Sequence, residues 1–137
     1  MQSVTELPFN QFIGLQTVTE PPHVLRLPAG GHFLNHLGTV HASAQIALAE
    51  ASGGEFLLRH LGSMNGIVPV VRRLEAKFRK PVTPGDVLEL HAEIVRDRGA
   101  MLIIRTEAKV NGQIVSEADI LAKVSPRQRA EEAQPKG

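Results

Sequence analysis

Polarity along the chain changes character twice. Through residue 38 the apolar clusters are short. Phe9, Phe12 and Ile13 share one side of a helical turn or two that ends by Leu15. Gln16–Glu20 and His23–Leu27 read as short strands, and Pro21-Pro22 between them forbids a continuous ladder. Pro28–Gly38 holds three glycines without periodicity and reads as a loop. From Val40 onward Ala42, Ala44, Ile46, Ala47, Leu48, Ala49 and Ala51 form the most helix-favouring run of the chain. That helix is apolar nearly all round, so it is expected to be buried on most sides. Gly53-Gly54 predicts its end.

The pattern then turns to β. Ile67–Phe78 is a long apolar, then alternating, run. Pro81–Asp86 is turn chemistry. Val87–Val95 follows, with Leu88, Leu90, Ala92 and Ile94 on one face. Asp97-Arg98-Gly99 turns the chain into Met101–Val110. Asn111-Gly112 is the strongest hairpin signal and leads to Ile114–Val124. Tight turns between consecutive strands predict antiparallel pairing, hence one sheet on one buried helix, an α+β architecture. Ser125–Gly137 is polar and Pro-bounded, so a single domain over residues 1–124 with a flexible tail is expected.

Composition narrows the chemistry. The 137 residues suffice for one domain, and a chain of that size buries roughly two-thirds of its unfolded surface. The absence of cysteine excludes disulfides, zinc-thiolate sites and cysteine nucleophiles. A formal net charge of +1, with Phe as the sole aromatic type, argues against a nucleic-acid binder. No apolar run approaches the length of a membrane span, and the first residues lack the pattern of a secretory signal. No membrane association and a cytoplasmic location are expected.

Three segments carry a resemblance. Asn35-His-Leu-Gly38-Thr-Val-His41-Ala-Ser-Ala44 is followed by Leu48-Ala-Glu50. Phe78-Arg-Lys-Pro81 is followed by Gly85-Asp86. A closing hairpin surrounds Asn111-Gly112. Together, and in this order, they resemble the PaaI-like acyl-CoA thioesterases of the hotdog fold, in which an antiparallel sheet wraps one long apolar central helix. The resemblance covers roughly Phe9–Val124. It departs from the family at the helix start, where His-Gly-Gly is replaced by His41-Ala42-Ser43. Those glycines let a thioester approach the backbone closely.

The residues admit plain readings beside the functional ones. Glu50 is a charge in an Ala-rich helix, costly there unless hydrogen-bonded or used, or else the mark of a solvent-facing stripe. The resemblance makes it a general base on water or a nucleophile on the thioester carbonyl. The helix N-terminus at Ala42 offers unpaired N–H groups to an oxyanion. Asn35 either orients water or carbonyl, or bonds its own loop. His41 is assigned a positioning role, and Gly38 belongs to the same motif. Ser43 lacks a nucleophile elbow and reads as a helix-start hydroxyl bonded to backbone. Ser63 and Asn65 are candidates for the acyl pocket. His32 and His36, four apart in a Gly-rich loop, lack a nearby carboxylate, and no metal is expected. The basic run from Arg72 to Lys80 is either a solvated strand face or a site for the phosphates of coenzyme A, with Arg79 and Lys80 as its anion binders.

The reaction implied is hydrolysis of an acyl-CoA or acyl-carrier-protein thioester. It needs no cofactor other than the coenzyme A of the substrate itself. A non-catalytic acyl-CoA binder, silenced at Ala42-Ser43, is the alternative. A hydratase or dehydratase would need a His–acid pair, which His41 and Glu50 supply only across two subunits. A homodimer, or a dimer of dimers, with sites at the interface is expected.

Overall fold

The computed structural model describes residues 3–19, 23–28, 33–61 and 67–126. Among these residues a 3-10 turn (Val4–Glu6) and two α-helices, α1 (Pro8–Ile13) and α2 (Ala42–Leu61), accompany six strands. These are β1 (Gln16–Thr17), β2 (His23–Leu27), β3 (Ile67–Phe78), β4 (Leu88–Asp97), β5 (Met101–Val110) and β6 (Gln113–Pro126). All pair antiparallel in one sheet of order β1-β2-β4-β5-β6-β3.

The β4–β5 and β5–β6 hairpins follow from local chemistry. Asn111 and Gly112 take positive φ of 50° and 79°, the left-handed pair that a two-residue hairpin requires. Asp97 Oδ1 accepts the Gly99 N–H across the preceding turn. The predicted antiparallel order fails at one junction. β3 pairs with β6 rather than with β4, because the chain from Arg79 to Val87 crosses over the start of α2. Buried Val82 fastens that crossing, and its carbonyl accepts the Val40 N–H at 2.7 Å. β6 also runs two residues past Val124, with Ser125 opposite Val68 and Pro126 opposite Ile67. β1 is shorter than the five residues expected from Gln16. Glu20–Pro22 lie outside the described residues.

α2 lies across the sheet. Leu48, Val40, Val82, Leu25, Leu88 and Leu90 pack around its first half, and Leu57, Val24, Ala92, Leu102, Ile104 and Ala122 around its second. Gly53-Gly54 does not end the helix, contrary to the expectation above. It continues to Leu61. A Cβ on Gly53 would stand 2.9 Å from Ile120 Cδ1, and one on Gly54 3.4 Å from Val4 Cγ1. The glycines let the helix approach the sheet on one side and the N-terminal turn on the other, and that packing outweighs their low helix propensity. Glu55 is buried beside them, accepting the Val4 N–H at 2.9 Å and the Ser3 hydroxyl at 3.0 Å. On α1 only Ile13 turns inward among the apolar residues. Phe9 and Phe12, expected on its buried side, are 64% and 71% exposed.

Candidate active site

The start of α2 is held by its neighbours in sequence. The Phe33 carbonyl accepts the His41 N–H, and His41 Nδ1 accepts the Ser43 N–H at 3.1 Å, so the imidazole caps the helix as a serine or aspartate would. The N–H groups of Ala44 and Gln45 both reach the His41 carbonyl. Ala42 is the exception. Its N–H makes no bond among the described residues, at the positive end of the helix dipole. The His41 ring thus caps the first turn of α2. Ser43 contributes its N–H to this cap.

Asn35 closes its own loop. Its Oδ1 accepts from the Leu37 and Thr39 N–H groups at 2.9 and 3.0 Å, and its Nδ2 donates to Thr39 Oγ1. Gly38 takes φ of 76° where this loop reverses, a conformation costly for other residues. The loop and the crossing after β3 bring Asn35, Thr39, Ala42, Gln45, Arg79 and Lys80 around one open pocket of about 290 Å³. Lys80 Nζ donates to Gln113 Oε1 at 3.1 Å and has no carboxylate partner among the described residues. Arg79 pairs with Glu117 at 2.8 Å.

Glu50 is not in that pocket. It borders a separate cavity of about 70 Å³, walled by Gly53, Leu57, Val70, Val71 and Ile104. It lies eight residues beyond Ala42, about 12 Å along the helix axis. Although exposed in the single chain, its carboxyl loses water to these apolar walls, which raises its pKa above the ordinary carboxylate value. It makes no hydrogen bond or ion pair among the described residues, unlike Glu55 five residues on.

Ser63, Asn65 and His32 lie outside the described residues, and His36 is exposed. One cluster was not anticipated from sequence. His91, Glu93 and Glu107 bring three potential ligand atoms within 4.8 Å on the sheet face opposite α2. It arises from cross-strand register, His91 standing opposite Glu107, which no sequence spacing reveals. Gln45 was also missed. It sits in the predicted helix as one polar residue among alanines and is buried.

Comparison with known proteins identifies the lineage. The sequence profile of the Thioesterase superfamily matches residues 37–116, which span the helix start, α2 and most of the sheet. The chain belongs to the Thioesterase superfamily. Among curated proteins similar to this member of the superfamily, the 3-hydroxyacyl-(acyl-carrier-protein) dehydratase FabZ of Sinorhizobium fredii (strain NBRC 101917 / NGR234) is 32% identical over 126 residues. That match covers 88% of this chain and 75% of that protein. The same-named protein of Anaeromyxobacter sp. (strain Fw109-5) is 50% identical over 54 residues, covering 39% of this chain and about a third (34%) of its own length.

Solved structures agree on the hotdog fold. A mutant of phenylacetic acid degradation protein PaaI from Thermus thermophilus superposes with a TM-score of 0.74 at 18% identity, covering 85% of this chain and 98% of that one. The smu.793 protein of Streptococcus mutans UA159, bound to acetyl CoA, gives 0.72 at 19% identity, covering 84% and 91%. This member of the Thioesterase superfamily is thus also similar to proteins named as dehydratases.

Proposed function

We propose that this protein hydrolyses an acyl-CoA or acyl-carrier-protein thioester at sites shared by two copies of the chain. The observation that carries the reading is Glu50: a carboxylate with no partner among the described residues, desolvated, on the outward face of the Ala-rich half of α2. A raised pKa and a free lone pair suit a general base on water. Water deprotonated by Glu50 attacks the thioester carbonyl. The Ala42 N–H receives the developing oxyanion, and the tetrahedral intermediate collapses by breaking the C–S bond and releasing the thiolate. Asn35 holds the loop that shapes the pocket. Lys80, and Arg79 beside it, bind phosphate at the pocket mouth.

One chain does not bring the two ends of this chemistry together, since a reacting carbonyl must lie within about 3 Å of both the oxyanion donor and the water that the base holds. A second copy does. Ala42, Ile46 and Glu50 recur at four-residue intervals on the exposed stripe of α2, and Ile46 is the midpoint. A two-fold axis passing near Ile46 sets two antiparallel helices side by side, so that Ala42 of one chain faces the partner's Glu50. The surface suits this pairing. Among the described residues β3 is an edge strand, and its Val70, Val71 and Phe78, with Ile46 of α2, are exposed apolar residues.

The FabZ-named relatives favour a second reading, dehydration of a 3-hydroxyacyl thioester, with Glu50 and a histidine of the partner as the acid–base pair. One assay separates the two. Purified protein is incubated with acyl-CoA and 3-hydroxyacyl-CoA substrates while free thiol and enoyl absorbance are followed together. Thiol release without enoyl formation supports hydrolysis, and enoyl formation without thiol selects the second reading. Absence of both, with binding retained, leaves the non-catalytic binder.

A further inference from the structure

Gln45 has no place in the chemistry above. It lies in the first turn of α2, 7% exposed, in a stretch where Ala44, Ala47, Leu48 and Ala49 are the inward residues. Its Nε2 reaches the Val40 carbonyl at a long 3.5 Å, and its Oε1 is buried with no donor among the described residues. A buried acceptor left unpaired costs stability that an apolar side chain of the same volume would not. Its surroundings suggest what the oxygen waits for. Among the described residues, Gln45 and Phe78 are the two that border both the open pocket at Asn35, Ala42 and Lys80 and a smaller void of about 10 Å³ between α2 and the sheet. Ala49, Ala76, Ala108 and Ala118 line that void beside Thr106 and the larger Leu90 and Glu117. Phe78 ends its strand and is 46% exposed, so it is the movable half of the partition, and Gln45, packed in the helix, is the fixed half.

We propose that Gln45 is a specificity-determining residue whose Oε1 accepts a hydrogen bond from an O–H or N–H on the acyl group, after that group displaces Phe78 and enters between α2 and the sheet. The inference rests on the acyl-thioester reading above. A purely aliphatic acyl group would seal the oxygen away from water and give it no donor, whereas a hydroxylated one satisfies it. The site therefore favours acyl groups that carry a donor.

The test uses unreactive coenzyme A thioethers in matched pairs: S-butyl with S-(3-hydroxybutyl), and S-benzyl with S-(4-hydroxybenzyl). Affinities are measured by calorimetry for the full-length wild type and Gln45→Met. The wild type is expected to bind the hydroxylated member of at least one pair about tenfold more tightly. Gln45→Met, which keeps the volume and removes the acceptor, should bind the two members of that pair equally, with its melting temperature unchanged or raised. Equal wild-type affinities within both pairs overturn the role of Gln45 without recourse to any variant. A preference that survives in Gln45→Met, or in Gln45→Leu should the first variant fail to fold, overturns it as well. Failure of the wild type to bind any thioether removes acyl-CoA as the substrate, and this inference with it.

Discussion

The carboxylate of Glu55 accepts the backbone N–H of Val4 at 2.9 Å across fifty-one residues of sequence. The same group takes the Ser3 hydroxyl and lies 3.4 Å from Arg59. It ties the N-terminal turn to the middle of α2, where Gly54 lets Val4 approach. Glu55→Ala leaves the Val4 N–H without its acceptor, and a loss of about 2–3 kcal/mol is expected. Urea unfolding monitored by far-ultraviolet circular dichroism measures it. A midpoint within error of wild type would show that the tie contributes nothing.

Glu50→Gln keeps the shape of the side chain and removes the proton acceptor. If Glu50 is the base, kcat falls by a factor of order 10²–10⁴ while an unreactive acyl-CoA analogue still binds. Steady-state hydrolysis by wild type and variant, with analogue binding alongside, decides the matter. Activity retained in the variant would sink the mechanism.

The raised pKa of Glu50 sets the sign of two pH effects. The acid limb of kcat/KM should have an apparent pKa above the ordinary 4.5 and should disappear with the substitution. Stability runs the other way. The folded state holds this proton more tightly than the unfolded chain does, so ionisation weakens the fold as pH rises from about 4.5 through the raised value. Glu50→Gln should therefore be more stable than wild type at neutral pH and equal to it below pH 4.5. Thermal melts across that range give the comparison, and a constant difference at every pH would contradict the assignment.

Ala42 is the first residue of α2, where proline is tolerated because no intrahelical bond uses its N–H. Ala42→Pro deletes the proposed oxyanion donor and leaves the helix in place. The expected loss is about 10²–10³ in kcat, with the circular dichroism spectrum preserved. Mixed with Glu50→Gln under subunit exchange, this inactive variant should recover about a quarter of wild-type activity, because half of the dimers are mixed and each has one intact site. No recovery in dimers shown to have exchanged would place both groups within one subunit.

Lys80→Ala should raise KM several-fold and leave kcat nearly unchanged, because a contact with remote phosphates is made equally in ground and transition states. Arg79, already paired with Glu117, should matter less than Lys80. Added salt should imitate both changes, since exposed charges are screened within about 8 Å at physiological ionic strength. A KM indifferent to Lys80 and to salt would detach this patch from the site.

Much of this arrangement was legible in the chain itself. β3 and β5 begin and end where their apolar patterns and the flanking turn residues put them, because those signals are local. The central helix was legible from its alanines, but its length was not. Whether a Gly pair ends a helix depends on what packs against it, here Ile120 and Val4, both remote in sequence. The β3–β6 pairing was hidden for the same reason, since it depends on Val82 docking against Val40 rather than on any turn. In the site, Glu50 stood out as a charge in an apolar run. Gln45 did not, because an amide at a helix start looks ordinary until its burial is known.

The two margins of the sheet are unequal, and that inequality limits growth. β3 offers twelve residues of open backbone, whereas β1 at the other margin has two. Joining β3 of one molecule to β1 of the next would give a ladder too short to hold, so a head-to-tail chain of molecules has no workable junction. Joining β3 to β3 uses the long margin of both molecules at once and leaves only short margins outward. In the two-copy arrangement proposed above, the long β3 edge is spent in the pairing and only short edges face outward. A sticky edge that would otherwise invite fibres would then be consumed in a finite pair.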